Sequence, residues 1–287
     1  MSNITVIGMG LMGGSLIKAL KASNENYNIY AIDTNKENIE SALKDGYIDK
    51  GSYDYDSIKE YIEWSDIIMI CTLPSIAIDI IFKYKHLIDN KKILSDFCGV
   101  KTDIFNNTKD KKYVGLHTMA GKEKGGYQNS SENLFKNSNA IIVNNDNANE
   151  NDIKIIEKLA YDIGSGKVII STAKKHDEMI AFTSQLMHII ACGIVNHDHF
   201  LASLGFEGNS LADHTRVGTI DANMWSELFL YNNKYLYESL DKYIKCLEDF
   251  KNALHNKDIE ALKNLMNNSN NIKNEWIKRK NTKNNIN

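Results

Sequence analysis

Residues Leu116 to Glu123 read Leu-His-Thr-Met-Ala-Gly-Lys-Glu and follow a short apolar run, Tyr113 to Leu116, that predicts a strand. A histidine at the mouth of a strand can handle protons near neutrality, because the imidazole pKa of about 6.5 is easily moved by its surroundings. His117 is the first candidate for proton chemistry, although packed or solvated loop histidines look the same in sequence. A second set lies on a long apolar stretch: His176, Asp177, Ser184, Gln185 and His188. Spacings of seven and four put Asp177, Ser184 and His188 on one helical face. Polar groups on such a helix need partners or a ligand. A third set pairs Asp213 with Arg216, three residues apart, so that the carboxylate can orient the guanidinium; Trp225 follows nine residues later. The chain has only two arginines, Arg216 and Arg279. The internal one is expected to serve through its planar fork, which lysine cannot reproduce, as a clamp for a substrate carboxylate. An ordinary ion pair would use the same two residues.

These groups need a frame, and the first eighty residues outline one. Ile4 to Ile7 is a β-branched run, followed by Gly8-Met9-Gly10-Leu11-Met12-Gly13-Gly14-Ser15 and by Leu16, Ile17, Ala19 and Leu20 at helical spacing. In this strand–loop–helix order Gly8 allows the tight turn, Gly10 lets backbone approach a pyrophosphate, and Gly13 permits close helix–strand packing. The helix start, with Leu11 and Met12, offers N–H donors and a partial positive charge. Asp33 closes the next strand, twenty residues after Gly13. A carboxylate there binds the ribose hydroxyls of NAD and repels the extra phosphate of NADP. No arginine follows to receive that phosphate; Lys36 is the nearest cation. Thr72 and Gly99, at later strand ends, complete the expected cofactor set, and NAD is expected over NADP.

Strand and helix signals then alternate. Lys36–Lys44, Ser57–Glu63, Pro74–Lys83 and Glu150–Ile163 read as helices, and Asp66–Thr72, Lys92–Ser95, Tyr113–Leu116, Ala140–Asn144 and Lys167–Ser171 as strands. This predicts an α/β fold, a doubly wound parallel sheet with ligand at the carboxyl ends of its strands. His117 and Gly99 are expected just past such ends. After about residue 172 the strand signals cease and long helices take over: Ala173–His199, a second from Ala212, then Leu230–His255 and Asp258–Lys278. The expected organisation is a dinucleotide-binding domain over residues 1–171 and an all-α substrate-binding and dimerisation domain over 172–287. The Asn- and Lys-rich end beyond Lys278 is expected to be disordered.

Composition narrows the functional classes. Hydrophobic residues make up 43%, charged residues 25%, and the net charge is −3, which gives no basic footprint for nucleic acid. No uninterrupted run approaches the ~18 apolar residues that span a bilayer, and the start lacks a signal peptide's charged segment. Cys71, Cys98, Cys192 and Cys246 are scattered, with no spacing for a zinc site or a disulfide framework. No metal is expected, and a reducing cytoplasm is the expected setting.

Five segments together resemble the prephenate dehydrogenase family: GMGLMGGS at 8–15, DFCGVK at 96–101, HTMAGKE at 117–123, KHDEMIAFTSQLMH at 175–188 and ADHTRVG…MW at 212–225. The resemblance runs nearly the whole length. It implies a Rossmann-type domain, a helical dimerising domain and oxidation of a cyclohexadienol, prephenate or arogenate, with loss of carbon dioxide on the path to tyrosine. It gives His117 the proton of the ring C4 hydroxyl and His188 a part in holding substrate. Arg216 receives the substrate carboxylate with Asp213 as orienter, and Glu123 and Trp225 sit at the pocket rim. His176 is given a structural or indirect role.

The chain departs from the family pattern in three places. Gly99 stands where many members carry serine, so a hydroxyl near His117 is missing and Cys98, Thr102 or water is left to replace it. HTMAG replaces HPMAG, and Met187 replaces the proline before the second histidine. No room is expected for a chorismate mutase or a regulatory module, so the chain reads as monofunctional. The alternatives are an arogenate (cyclohexadienyl) dehydrogenase, or a hydroxyacid dehydrogenase of the same architecture using Lys174 or Lys175. A regulator that only senses NAD(H) is the reading that Gly99 would favour.

Overall fold

The computed structural model describes residues 2–23 and 25–284. In chain order the first part contains β1 (Ser2–Ile7), α1 (Leu11–Ala22), β2 (Tyr27–Ile32), α2 (Lys36–Lys44), β3 (Lys50–Ser52), α3 (Ile58–Trp64), β4 (Ile67–Ile70), α4 (Pro74–Tyr84) and β5 (Ile93–Asp96). The five strands form one parallel sheet of order β3-β2-β1-β4-β5. Alternation along β1 explains why the sheet is covered on both faces. Ile4 and Val6 pack in one apolar cluster with Leu16 and Ile17 of α1, while Ile7 joins another with Ile58 and Ile62 of α3. Pro74 opens α4 at its first turn, where a missing N–H costs nothing.

Next come α5 (Thr102–Asn107), β6 (Val114–Thr118), β7 (Asn139–Asn144), α6 (Glu150–Asp162) and β8 (Lys167–Ser171). The last three strands form a second sheet, β6-β7-β8, joined to the first by one parallel bridge from Leu94 to Tyr113. The parallel sheet expected of the doubly wound fold is present in β1 to β5, but the later strands do not continue it, because β6 and β7 run antiparallel in a sheet of their own. The segment between them contains a single short 3-10 turn, Tyr127–Asn129, rather than the crossover helix a parallel pair requires. It also moves His117, which sits inside β6 opposite Ile141 rather than past the strand end.

The helical part comprises α7 (Ala173–Ile180), α8 (Leu186–Val195), α9 (Asn209–Thr215), α10 (Ala222–Tyr231), α11 (Asn233–His255) and α12 (Ile259–Asn284). A π-turn over Ala181–Gln185 joins α7 to α8 into one continuous helix. Although no uninterrupted apolar run was expected to span a bilayer, Ala173–Val195 as a helix is long and apolar enough to do so by length and composition. Three of its polar residues are instead buried and hydrogen-bonded to other parts of the protein: His176, Asp177 and Gln185. Two further boundaries differ from expectation. The helix predicted from Ala212 is two helices, broken before Asp221, whose side chain caps α10 by accepting from Met224 N–H. The end predicted to be disordered after Lys278 is helical through Asn284, and residues 285–287 lie outside the described residues.

Compactness divides the chain within α11, into Met1–Leu236 and Tyr237–Asn287. All the candidate site residues fall in the first unit. The second, taken alone, holds the remainder of α11 and α12. Lys257 turns between them in a left-handed conformation (φ 53°), and the Asp258 side chain accepts from Ala261 N–H at 2.9 Å.

Candidate active site

The glycine loop is built for an anion. Gly8 has φ +94°, and a Cβ at Gly13 would lie 1.9 Å from the Gly8 carbonyl oxygen, so neither position tolerates a side chain. A Cβ at Gly10 would meet nothing within 4 Å. Gly10 caps α1 with no side-chain hydrogen bond, and the first turn, which includes Leu11 and Met12, carries no acidic residue. The helix start therefore keeps its N–H donors and positive dipole end for a ligand, and the residues fit a dinucleotide pyrophosphate. The Asp33 carboxylate accepts from Met9 N–H and, at 2.7 Å, from Asn35 N–H, which fixes it beside the loop. Thr72 packs against Gly8, where its methyl would lie 2.8 Å from an added Cβ. Lys36, the nearest cation, is exposed and pairs with Glu40 at 3.4 Å.

Beyond β5 the backbone turns through Gly99, and a buried ion pair ties together the residues on either side of that turn. The Lys101 ammonium donates to Asp96 Oδ1 at 2.6 Å, to the Leu116 carbonyl at 3.2 Å and to the Asp96 carbonyl at 3.3 Å. The Asp96 carboxylate also accepts from Cys98 N–H and from the Tyr113 hydroxyl. Both charged side chains are fully enclosed, so the pair is sustained only because its polar atoms are hydrogen-bonded. Gly115 makes room for it, since a Cβ there would meet Tyr113 Oη at 2.2 Å and Asp96 Oδ2 at 2.8 Å. The bond to Leu116 ties the cluster to the residue before His117.

His117 itself is held by a histidine. Its Nδ1 lies 2.8 Å from His176 Nε2, and His176 Nδ1 lies 2.7 Å from Asp177 Oδ1. Asp177 in turn accepts from the backbone N–H groups of Lys101 and Thr102, each at 2.8 Å. Burial, reinforced by His176 and Lys101, pushes the His117 imidazole well below its ordinary 6.5. Burial also lowers His176, against the opposing effect of its hydrogen bond to Asp177. Burial disfavours the charged form of Asp177, but the hydrogen bonds from His176 and Thr102 outweigh it and hold the carboxyl below its ordinary value. A charged carboxylate and two neutral rings result. His117 Nε2 has no protein partner among the described residues.

Helices α8 and α10 carry the next candidate residues. His188 Nδ1 donates to the Ser184 carbonyl at 2.9 Å, and its ring lies 3.7 Å from that of Trp225, centroid to centroid. Burial lowers its pKa, with Arg216 adding to the effect and the Ser184 bond opposing it. On α10, Leu228 lies 3.5 Å from where a Gly99 Cβ would stand, and Glu227 accepts from Ser75 N–H at 2.7 Å. The expectation that Asp177, Ser184 and His188 share a face assumed a regular helix; a π-turn over Ala181–Gln185, between Asp177 and His188, adds a residue to one helical turn and shifts the phase. Asp177 serves the His117 side, and His188 serves Trp225. Gln185 is buried and bridges to α10, donating to Leu228 O at 3.0 Å and accepting from Asn232 Nδ2 at 2.7 Å.

At the rim, Arg216 Nη1 donates to Glu123 Oε1 at 3.3 Å, with the two side chains 69% and 56% exposed. The contact expected from Asp213 is absent: Glu123, arriving on the β6–β7 connection, makes one exposed contact with the guanidinium, and Asp213 is exposed with no ion pair among the described residues. Cys98 and Thr102 do not replace the missing hydroxyl. The Cys98 thiol donates to the Thr72 carbonyl at 3.4 Å, and Thr102 Oγ1 is buried with no partner among the described residues. Lys174 and Lys175, which a hydroxyacid dehydrogenase would use, are exposed and pair with Glu178 at 3.9 Å. No cluster of metal-ligating side chains occurs among the described residues. Asp96 and Lys101 are five residues apart, but the partners that complete their cluster, and the contact of His176 with His117, lie 15 to 76 residues away and leave no local spacing to read.

Comparison with known proteins bears on this geometry. The family model "Prephenate dehydrogenase, nucleotide-binding domain" matches residues 16–170, and "Prephenate dehydrogenase, dimerization domain" matches residues 172–268. Prephenate dehydrogenase of Bacillus subtilis is 24% identical over 270 residues, covering 90% of this chain and 72% of that protein. Cyclohexadienyl dehydrogenase of Zymomonas mobilis is 24% identical over 271 residues, 91% of each chain. Among solved structures, prephenate dehydrogenase from A. aeolicus in complex with hydroxyphenyl propionate and NAD+ superposes with a TM-score of 0.83 at 25% identity, covering 97% of this chain and 98% of that one.

Proposed function

The chain belongs to the prephenate dehydrogenase family and is an NAD-dependent oxidoreductase; we propose that its substrate is prephenate, converted to 4-hydroxyphenylpyruvate and carbon dioxide. The observation that carries this reading is the His117 ring, tied down at Nδ1 by His176 and without a protein partner at Nε2 among the described residues; burial, which lowers its pKa, favours the neutral form. Such a group can accept a hydroxyl proton in a fixed direction. Bound NAD supplies the acceptor for the hydride that leaves C4 of the ring. As that C–H bond breaks, Nε2 of His117 takes the proton of the C4 hydroxyl, leaving a dienone. Loss of the ring carboxylate as carbon dioxide then pushes an electron pair to the carbonyl oxygen, which recovers a proton from His117 and becomes the phenol. The proton taken is returned, and aromatisation drives the sequence.

The other assignments rest on the same geometry. Gly8, Gly10, Leu11, Met12 and Gly13 would take the pyrophosphate, Asp33 the ribose, and Thr72 and Gly99 the nicotinamide end. Arg216 would bind a substrate carboxylate, exchanging its single contact with Glu123 for a bidentate one. Asp213 remains a proposed outer member of that set, and His188 with Trp225 forms the wall opposite His117. We assign residues 1–171 to cofactor binding and 172–287 to substrate binding and homodimerisation. The match of residues 172–268 to a dimerization domain supports a homodimer. So do Leu201, Leu204 and Phe206, apolar side chains all more than three-quarters exposed. A cytoplasmic location accords with the four free thiols.

The test is the rate of NADH formation with prephenate and with arogenate, each with NAD and with NADP. Prephenate with NAD is expected to give the highest kcat/KM, and His117→Asn to lower kcat by about 10³-fold. Preference for arogenate would overturn the substrate assignment, and undiminished turnover by the variant would overturn the mechanism.

A further inference from the structure

The donor and acceptor sequence around His117 can be read in one direction. Asp177 is charged, fixed by the N–H groups of Lys101 and Thr102, and can only accept. His176 Nδ1, 2.7 Å away, must therefore carry its proton toward Asp177. A neutral His176 then has a bare Nε2, which can only accept, so the 2.8 Å contact requires His117 Nδ1 to donate. With its proton on Nδ1, a neutral His117 presents a lone pair at Nε2. His176 and Asp177 are 1% exposed, so water does not compete for these bonds. Asp177 is further held through its own carbonyl, which accepts from Asn232 Nδ2 at 2.9 Å. At the Cε1 edge of the ring, between its two nitrogens, a Cβ at Gly99 would stand 3.9 Å away, within reach for a serine hydroxyl, but the position is glycine.

We propose, building on the function above, that His176 and Asp177 are positioning residues that hold His117 in the Nδ1–H tautomer, with Nε2 as the proton-accepting atom. In this chain the relay takes over the orienting task of the hydroxyl that Gly99 lacks. When Nε2 receives the substrate proton, the imidazolium is stabilised through the same chain by the Asp177 charge, with no proton passing to the carboxylate. Removing His176 frees the ring to rotate and to populate the other tautomer, in which Nε2 is occupied. The loss should fall on kcat rather than KM, because the bond acts on the reacting proton.

The experiment compares His176→Leu, His176→Leu with Gly99→Ser, and the unaltered protein, in steady-state turnover of prephenate and in ¹⁵N-histidine NMR. His117→Asn identifies the His117 signals. His176→Leu is expected to lower kcat by about 10²-fold with KM changed less than about threefold, and added Gly99→Ser to recover about tenfold of that loss. In the unaltered protein His117 Nε2 should read as unprotonated, and in His176→Leu the two tautomers should mix. A proton on Nε2 in the unaltered protein overturns the proposal, as does a kcat loss that only tracks the folded fraction in a thermal melt. If His176→Leu does not fold, the tautomer of the unaltered protein decides alone. Failure of the unaltered protein to turn over either cyclohexadienol would instead strike the function assigned above, and the NMR arm would still judge the relay.

Discussion

At the buried centre, the Lys101 ammonium and the Asp96 carboxylate sit 2.6 Å apart with neither exposed, and each makes further hydrogen bonds to fixed groups. At the rim, Arg216 and Glu123 meet through one 3.3 Å contact with most of both side chains in solvent. The same pairing of opposite charges therefore does two different jobs. In the centre, low dielectric makes an unmatched charge costly, so the network holds β6 and the His117 ring in one arrangement. At the rim, water screens the pair, and the guanidinium can exchange partners at little cost. A proton acceptor needs the first kind of surroundings; a carboxylate receptor that must open and refill suits the second.

The largest effect should come from unbalancing the centre. Lys101→Met leaves the buried Asp96 charge without its partner, and denaturant unfolding should show a loss of about 3–5 kcal/mol. A loss below about 1 kcal/mol would mean that water reaches Asp96, and the contrast between the two regions would collapse. Arg216→Ala tests the other side. Stability should change by less than about 1 kcal/mol, while the KM for prephenate rises about 10- to 100-fold with kcat nearly unchanged. An equal fall in kcat would move Arg216 from binding into the transition state.

Acidification sharpens the contrast without mutation. His117, His176 and His188 all bind protons less readily in the fold than at the ordinary 6.5, with burial the largest cause for each. Below that value the unfolded chain binds more protons than the folded one, so stability falls as pH drops from 6.5 toward the folded pKa values. Above it the contribution is constant. The melting temperature should be level between about pH 7 and 8 and decline on further acidification. The acid limb of kcat/KM should lie below 6.5, since neutral His117 is the accepting form. A limb above that value would place the acceptor in a carboxylate-dominated or solvent-like setting.

How much of this could be read from residues alone obeys the same division. The glycine loop, Asp33 and helix α2 over Lys36–Lys44 were legible because their determinants are local: a turn that needs φ > 0, a carboxylate at a strand end, an Asn35 cap on Glu37 N–H. His117, His188 and Arg216 were legible as residue types in recognisable segments. The centre was not, since Lys101 reaches Leu116, and Asp177 reaches Lys101, only after the strands have paired. The π-turn was equally hidden: a 3.6-residue period cannot announce an inserted residue, so Asp177 and His188 were placed on one face. The antiparallel β6–β7 pairing depended on a connection whose lack of helix was visible but whose return path was not.

The smallest expected effect is the most discriminating for the rim. Glu123→Gln removes one carboxylate charge 3.3 Å from Arg216 without shortening the side chain. If the rim pair is loose, Arg216 then meets the anionic substrate with one competitor fewer. KM should fall by no more than about threefold, and stability should move by less than about 1 kcal/mol. The difference from the unaltered protein should shrink as salt is raised, because contacts in solvent are screened within roughly 8 Å at physiological ionic strength. A rise in KM of about tenfold would show the reverse: Glu123 would be orienting the guanidinium as Asp177 orients His176, and the rim would be as preorganised as the centre.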